Sequence, residues 1–207
     1  MYETLRRPLL CHPATPCDAL ATIEVEVARE GARLSLRYVA TGTIAALAIP
    51  AAAEPKRVDG LWEHTCFEAF AREADAPSYC EFNFSPSGEW AAYAFDGYRS
   101  GMRALEIASP EILVARGAAE LVAKVTIGVT STSATESVRA RTHAVLGPNS
   151  RREAGSAGMT PLHLALSAVI EEANGRKSYW ALAHPSGRPD FHHADCFALE
   201  IPAASES

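Results

Sequence analysis

The residues of greatest chemical interest in this sequence combine aromatic rings with carboxyl, amide and imidazole groups on strand-like segments. In residues 61–70, LWEHTCFEAF, alternation with period 2 places Trp62, His64 and Glu68 on one face of a strand. A flat aromatic ring covers the C–H face of a sugar, and fixed polar groups bind its hydroxyls. We therefore predict a carbohydrate site. The predicted ligand-binding residues are Trp62, Glu68, Glu81, Asn83, Trp90, Trp180, His184 and Asp190.

Histidines suggest a second chemistry. His184, His192 and His193 flank a stretch rich in Pro and Gly, and His64 lies on the segment described above. Imidazole binds divalent metals and can be an axial ligand of haem iron. The spacing matches none of the standard zinc patterns, and adjacent histidines on an extended segment point in opposite directions. A haem or divalent-metal site using His64, His184 and His192 or His193 is thus the alternative to the sugar site, although the sequence requires no cofactor.

No pairing of nucleophile and base stands out in the sequence. The SPSG segment at 85–88 lacks the G-x-S-x-G pattern of a nucleophile elbow, and no phosphate-binding glycine loop occurs. Glu68 or Asp190 could act as a general base, but the spacing selects no partner for either. We therefore expect a binding protein rather than an enzyme. A structural or interaction module, with every aromatic residue in its core, is a further alternative.

The elements that must position these residues are mostly short strands. Residues 21–28 and 32–39 alternate apolar and polar side chains around a Gly-containing turn, which predicts a β-hairpin. Residues 79–84 and 89–95 flank the SPSG turn and predict a second hairpin. Further strands are expected at 61–70, 120–128, 162–171, 178–183 and 196–201.

Other segments depart from this strand pattern. Residues 103–115 and 168–174 could each form a short helix, but many short strands separated by turns are typical of an all-β, antiparallel β-sandwich. Thr130–Gly158 has no aromatic residue and is rich in Ser, Thr, Ala, Gly and Arg. Such a composition indicates a long disordered insertion, at about 130–160.

The composition restricts the number of domains and the class of partner. The chain has 207 residues, of which 48% are hydrophobic, enough for one well-buried core. We predict a single domain over residues 1–202 and a disordered tail at 203–207. The formal net charge of −6 provides no cationic field for a phosphate backbone, so nucleic acid is not the expected partner.

Targeting signals and cysteines indicate the compartment. The first residues lack the apolar region of a signal peptide, and no apolar run is long enough to span a membrane. The five cysteines are odd in number and irregularly spaced, which favours reduced thiols over a disulfide framework. We therefore expect a cytoplasmic protein whose partner is a small molecule or sugar, and no membrane partner.

Three motifs extend these expectations. They read DGLWEHTCFEAF at 59–70, EFNFSPSGEW at 81–90, and SYWALAHP at 178–185 followed by PDFH at 189–192. Shorter matches are YRSGM at 98–102 and LSAVIEE at 166–172. Together these motifs resemble a bacterial DOMON-like domain family, which is similar to the family-9 carbohydrate-binding modules.

This resemblance implies a fold and a general function. It implies a ligand-binding β-sandwich with sugars or haem as the ligand classes and with no established catalytic role. In sugar-binding relatives, a Trp followed by spaced acidic residues marks a strand near the site, and here Trp62, Glu63 and Glu68 are the matching positions. The chain departs from that pattern at His64 and Thr65, where an aspartate is frequent.

Overall fold

The structure, a computed structural model, describes residues 4–74, 76–129 and 161–202. In these residues the strands are β1 (Leu5–Cys11), β2 (Leu20–Glu30), β3 (Arg33–Gly42), β4 (Cys66–Glu73), β5 (Tyr79–Phe84), β6 (Trp90–Phe95), β7 (Arg103–Ala104), β8 (Glu111–Arg116), β9 (Glu120–Gly128), β10 (Leu162–Glu171), β11 (Lys177–Ala181) and β12 (Leu199–Ile201). Three-residue 3-10 turns lie at Ile44–Ala46, Leu61–Glu63 and Ala194–Cys196. The insertion predicted at 130–160 and the tail predicted at 203–207 lie outside the described residues.

The strands pair in one curled, antiparallel sheet. Its order is β7-β6-β5-β4-β10-β11-β1-β2-β3-β9-β8, and β12 pairs with β10. Strand β1 joins the two parts, because Leu5–Leu9 pair with β2 while Leu10 and Cys11 pair with β11. We call β4, β5, β6, β10 and β11 the cavity half, and β2, β3, β8 and β9 the opposite half. The predicted all-β, sandwich-like fold is confirmed.

The main core fills the space between the two halves. Tyr38 of β3 stacks on Phe67 of β4 with ring centroids 4.9 Å apart, although these strands are distant in the sheet order. The Tyr38 hydroxyl donates a hydrogen bond to the backbone oxygen of Glu68 at 2.8 Å. Each large apolar side chain buried here contributes about 1.5–3 kcal/mol. A second, smaller apolar cluster, which includes Phe70 and Phe197, covers the other face of the cavity half.

The two predicted hairpins are confirmed, and their turns explain their register. In the first, Glu30 pairs with Arg33, and Gly31 adopts φ +55° in the left-handed region that glycine enters without steric cost. In the second, Phe84 pairs with Trp90 across the Ser-Pro-Ser-Gly turn. This second hairpin places β5 and β6 next to β4 in the cavity half.

The segments considered for short helices form strands instead. Residues 103–104 are β7, Glu111–Arg116 are β8, and residues 168–171 continue β10. Strand β10 pairs with β4 on one side and with β11 and β12 on the other, and β8 pairs with β9. These ladders satisfy the backbone in an extended form, which outweighs a modest local helix preference. No helix among the described residues has the length and apolar character needed to cross a bilayer.

The strand predicted at 61–70 begins later than expected. Leu61–Glu63 form a 3-10 turn after Gly60, which has φ +78°, and the ladder starts only at Cys66. The single alternation predicted from Trp62 to Phe70 is therefore wrong before Cys66. The indole of Trp62 leaves the sheet and projects from a turn.

Candidate functional site

A cavity of about 350 Å³ lies on the face of the cavity half that points away from the main core. Its lining comes from β4, β5, β6, β10 and β11, from the turn at 61–63, from the β6–β7 connection and from residues 189–192. The polar and aromatic groups with which a ligand would make contact include Trp62, Glu68, Phe70, Glu81, Arg99 and His192.

Alternation along β4 and β5 brings the two carboxyl groups to this face. Phe67 points into the main core. Because successive side chains of a strand point to opposite faces, Glu68 and Phe70 point away from that core and line the cavity. In the pairing of β4 with β5, Glu68 lies opposite Asn83 and Phe70 lies opposite Glu81. Glu68 and Glu81 are thus diagonal neighbours on one face, at a spacing that lets long side chains interact.

Both carboxyl groups are buried, and each has few hydrogen-bond donors. Glu68 is 2% exposed and its Oε2 accepts a hydrogen bond from Ser167 Oγ at 3.2 Å, while Glu81 is 6% exposed and its Oε1 accepts from Asn83 Nδ2 at 2.8 Å. Burial, assisted by the charge of Glu81, raises the pKa of Glu68 to about 8. Burial also raises the pKa of Glu81, against the effect of Asn83 and Arg99. The pair therefore retains a proton at neutral pH.

His192 lies between this cavity and a second one of about 550 Å³. Its Nδ1 is 2.7 Å from the Tyr79 hydroxyl, which itself accepts a hydrogen bond from the backbone N–H of Arg99 at 3.2 Å. The hydroxyl proton is thus available to Nδ1, which assigns the ring proton to Nε2, 3.8 Å from Glu81 Oε2. Burial, together with the charge of Arg99, lowers the pKa of His192 to about 4. His192 is a neutral donor in the cavity wall.

An ion pair between Arg99 and Asp190 connects the β6–β7 connection with the C-terminal segment. Arg99 Nη2 donates to Asp190 Oδ1 at 2.8 Å, the Tyr98 hydroxyl donates to Asp190 Oδ2, and the backbone N–H of His192 donates to Asp190 Oδ1 at 3.2 Å. Burial opposes ionisation of Asp190, but the hydrogen bonds from Tyr98 and Arg99 outweigh it and lower the pKa of Asp190. Arg99 has φ +50°, a strained conformation for a residue with a side chain, so this network holds it in place.

Trp62 provides an accessible aromatic surface in the lining. Trp62 is 38% exposed, and its ring meets Tyr93 edge to face at a centroid distance of 5.9 Å. Tyr93 is held in turn, because its hydroxyl donates to Asp59 Oδ1 at 2.5 Å. The indole is therefore supported at its edge while part of it stays open to a ligand.

The structure does not bring the other two tryptophans to the cavity. Trp90 is 8% exposed and Trp180 is 4% exposed, and both belong to the main core. Trp180 Nε1 donates to Ser178 Oγ at 3.0 Å, and Arg57 lies 6.0 Å from the Trp90 ring. Both side chains are on the inner face of their strands, where they fill space between the halves.

The predicted metal-ligand histidines have separate partners. His184 Nε2 is 2.8 Å from the backbone oxygen of Leu10, and His64 Nδ1 is 2.7 Å from Glu171 Oε2. His193 caps the last 3-10 turn. Within the described residues, no group of three or more His, Cys, Asp or Glu side chains could hold a metal ion.

Several lining residues were not among the predicted ligand-binding residues. They include Phe95, Arg99, Met102, Tyr179 and Phe191. Of these, Phe95 and Tyr179 lie on predicted strands, so alternation relative to the core could have indicated their face. Arg99 and Phe191 come from connections whose approach to the cavity depends on contacts between distant segments.

Comparisons with known proteins were made by sequence and by structure. No protein-family model matches this chain, and a search of curated proteins found no match. The crystal structure of a "putative carbohydrate-binding protein" from Bacteroides uniformis is similar over 93% of this chain and 83% of that chain, with a TM-score of 0.60 and 14% sequence identity. At this identity the similarity shows the fold alone.

Proposed function

We propose that this protein is a non-catalytic, sugar-binding β-sandwich of the DOMON-like type, with its site in the 350 Å³ cavity. The observation that carries the proposal is an exposed indole, Trp62, lining the same cavity as the buried carboxyl groups of Glu68 and Glu81. The volume is at the lower end of the range of about 300–1,000 Å³ common for ligand pockets, which suits a small sugar.

The polar groups of the cavity match the needs of a polyol. A sugar hydroxyl both donates and accepts, so it needs acceptors and donors at fixed positions. Glu81 supplies an acceptor, protonated Glu68 supplies a donor as well as an acceptor, and His192 supplies the N–H of Nε2. Trp62 supplies the apolar surface against which the ring carbons pack.

The similar fold of the Bacteroides uniformis protein, whose name refers to carbohydrate binding, supports the sugar as ligand. The resemblance of the motifs to the DOMON-like family, in which Trp62 and Glu68 stand at matching positions, also supports it. We include the cytoplasm in this proposal, because all five cysteines are free thiols. A soluble intracellular sugar is then a more natural ligand than a polysaccharide fibre.

Calorimetric titration with a panel of monosaccharides and short oligosaccharides tests this function. We expect at least one sugar to bind, and Trp62→Ala to weaken that binding by about tenfold or more, because it removes the apolar surface at the ring face. Leu113→Ala is the matched control, since Leu113 is 57% exposed on β8 in the opposite half.

The two variants distinguish the loss of a contact with the sugar from a general effect on folding. Unchanged affinity in Trp62→Ala would place the sugar elsewhere, and equal losses in both variants would mean that folding rather than contact is affected. Absence of heat with the whole panel, from protein that circular dichroism shows to be folded, would overturn the proposed function.

A further inference from the structure

The charges of the cavity lining are not balanced from within the protein. Glu68 and Glu81 both line it, whereas Arg99, the cation of this lining, is held by Asp190 in an ion pair of 2.8 Å. His192, the imidazole of the lining, is neutral at physiological pH for the reasons given above. The carboxyl pair keeps one proton and one negative charge, and Arg99, although its charge acts on Glu81, gives its side-chain hydrogen bond to Asp190.

One oxygen of each carboxyl group accepts no hydrogen bond from the part of the chain that the structure describes. Ser167 donates to Glu68 Oε2, and Asn83 donates to Glu81 Oε1. Among the described residues, no hydrogen bond reaches Glu68 Oε1, and His192 Nε2 lies 3.8 Å from Glu81 Oε2, beyond hydrogen-bond distance. A carboxyl oxygen that opens onto the cavity without a donor from the protein can accept a hydrogen bond from a ligand N–H.

The aromatic lining adds an independent feature. The rings of Trp62, Phe70, Phe95, Tyr179 and Phe191 line the same cavity as the two carboxyl groups. The faces of such rings attract a cation through their quadrupole, and the attraction is stronger where water is excluded. Rings and unpaired carboxyl oxygens together are complementary to a positively charged nitrogen.

We infer that the sugar bound here carries a protonated primary amine, so that the ligand class is an unacetylated amino sugar. This inference rests on the proposed function and names its ligand. The ammonium group donates to the free oxygens of Glu68 and Glu81, while the sugar ring packs on Trp62. An N-acetyl group removes the charge and adds bulk, and a neutral parent sugar leaves one carboxyl oxygen without a charged partner.

Matched sugar triplets provide the test on the wild-type protein. Glucosamine, galactosamine and mannosamine are each titrated by calorimetry beside their N-acetyl derivatives and their neutral parent hexoses. We expect one free amine to bind at least tenfold more tightly than its two counterparts. Equal or tighter binding of the N-acetyl or neutral sugar would overturn the inference and leave the proposed function standing, whereas absence of binding in every triplet would overturn both.

Carboxyl variants then connect the preference to the two side chains. In Glu81→Gln we expect the amine preference, the ratio of the affinity for the amine to the affinity for its neutral parent, to fall by at least tenfold. Glu120→Gln is the matched control, since Glu120 is exposed on β9 in the opposite half. An amine preference that survives unchanged in both Glu81→Gln and Glu68→Gln would overturn the inference.

The source of the amine is resolved by a final comparison. A protonated amine on a sugar ring is present both in a free amino sugar and at the end of a β-1,4-linked chain of amino sugars. Tighter binding of the monosaccharide identifies the free sugar, and tighter binding of the glucosamine disaccharide identifies the chain end. Both outcomes support the amine, and failure of both to exceed their N-acetylated forms contradicts it.

Discussion

Replacement of Glu68 by Gln removes a buried ionisable group, and the structure predicts how stability then depends on pH. Glu68 is 2% exposed, and burial raises its pKa from 4.5 to about 8. In the unfolded chain the carboxyl is ionised above its ordinary pKa, whereas in the fold it keeps its proton until about pH 8. Its contribution is therefore fully present below pH 4.5 and is lost as the pH rises through about 8.

The magnitude follows from the proton difference between the two states. While the fold holds one proton more than the unfolded chain, the free energy of unfolding falls by about 1.4 kcal/mol per pH unit. Over the full interval from 4.5 to about 8 this amounts to about 5 kcal/mol. His192 acts in the opposite sense below its ordinary pKa of 6.5, so the effect of Glu68 is clearest between pH 6.5 and about 8.

Urea unfolding at several pH values in that window measures the effect. We expect the wild type to lose about 2 kcal/mol relative to Glu68→Gln between pH 6.5 and about 8, because Gln has no proton to hold. Glu120→Gln is the control, since an exposed carboxyl should leave the pH dependence of the wild type intact. A constant difference between wild type and Glu68→Gln across the window would show that Glu68 is ionised throughout and would refute the reasoning.

Three further outcomes are expected from urea unfolding. Relative to the wild type, His192→Gln should become more stable as the pH falls from 6.5 towards 4. The reason is that the buried imidazole of the wild type resists protonation, so its stabilising contribution, present above pH 6.5, is lost in acid. Parallel pH profiles of the two proteins would contradict this. Trp180→Ala should cost about 3–5 kcal/mol, because it empties a site in the main core, and a loss below about 1 kcal/mol would contradict that placement. Gly42→Ala should be strongly destabilising, because a Cβ there would lie 2.2 Å from the backbone oxygen of Ala19, and a midpoint equal to the wild type's would show that this approach is looser.

Much of the strand pattern could be predicted from the sequence because it is local. Strands β9 (Glu120–Gly128) and β10 (Leu162–Glu171) have the bounds expected from alternation, and the two hairpins follow from their turn residues. Strand β1 was not predicted. Its short, Arg- and Pro-containing sequence becomes a strand because β2 and β11 offer ladder partners on its two edges.

The candidate site was predictable only in part. Glu68 and Asn83 lie opposite each other across β4 and β5, as expected of polar residues on neighbouring strands of one sheet. The three tryptophans looked alike in the sequence, since each lies in an apolar, aromatic segment. Only Trp62 lines the cavity, because it projects from a turn, while Trp90 and Trp180 face the core.

The sequence by itself determined the all-β class, most strands and the carboxyl groups that share the face of the cavity half, because period-2 alternation is a property of neighbouring residues. Only the tertiary structure decided which face became core and which became cavity, since that depends on how the sheet curls. It also decided that Arg99 and Asp190, 91 positions apart, form an ion pair beside the cavity. Contacts between such distant segments depend on the whole fold, and a local pattern does not encode them.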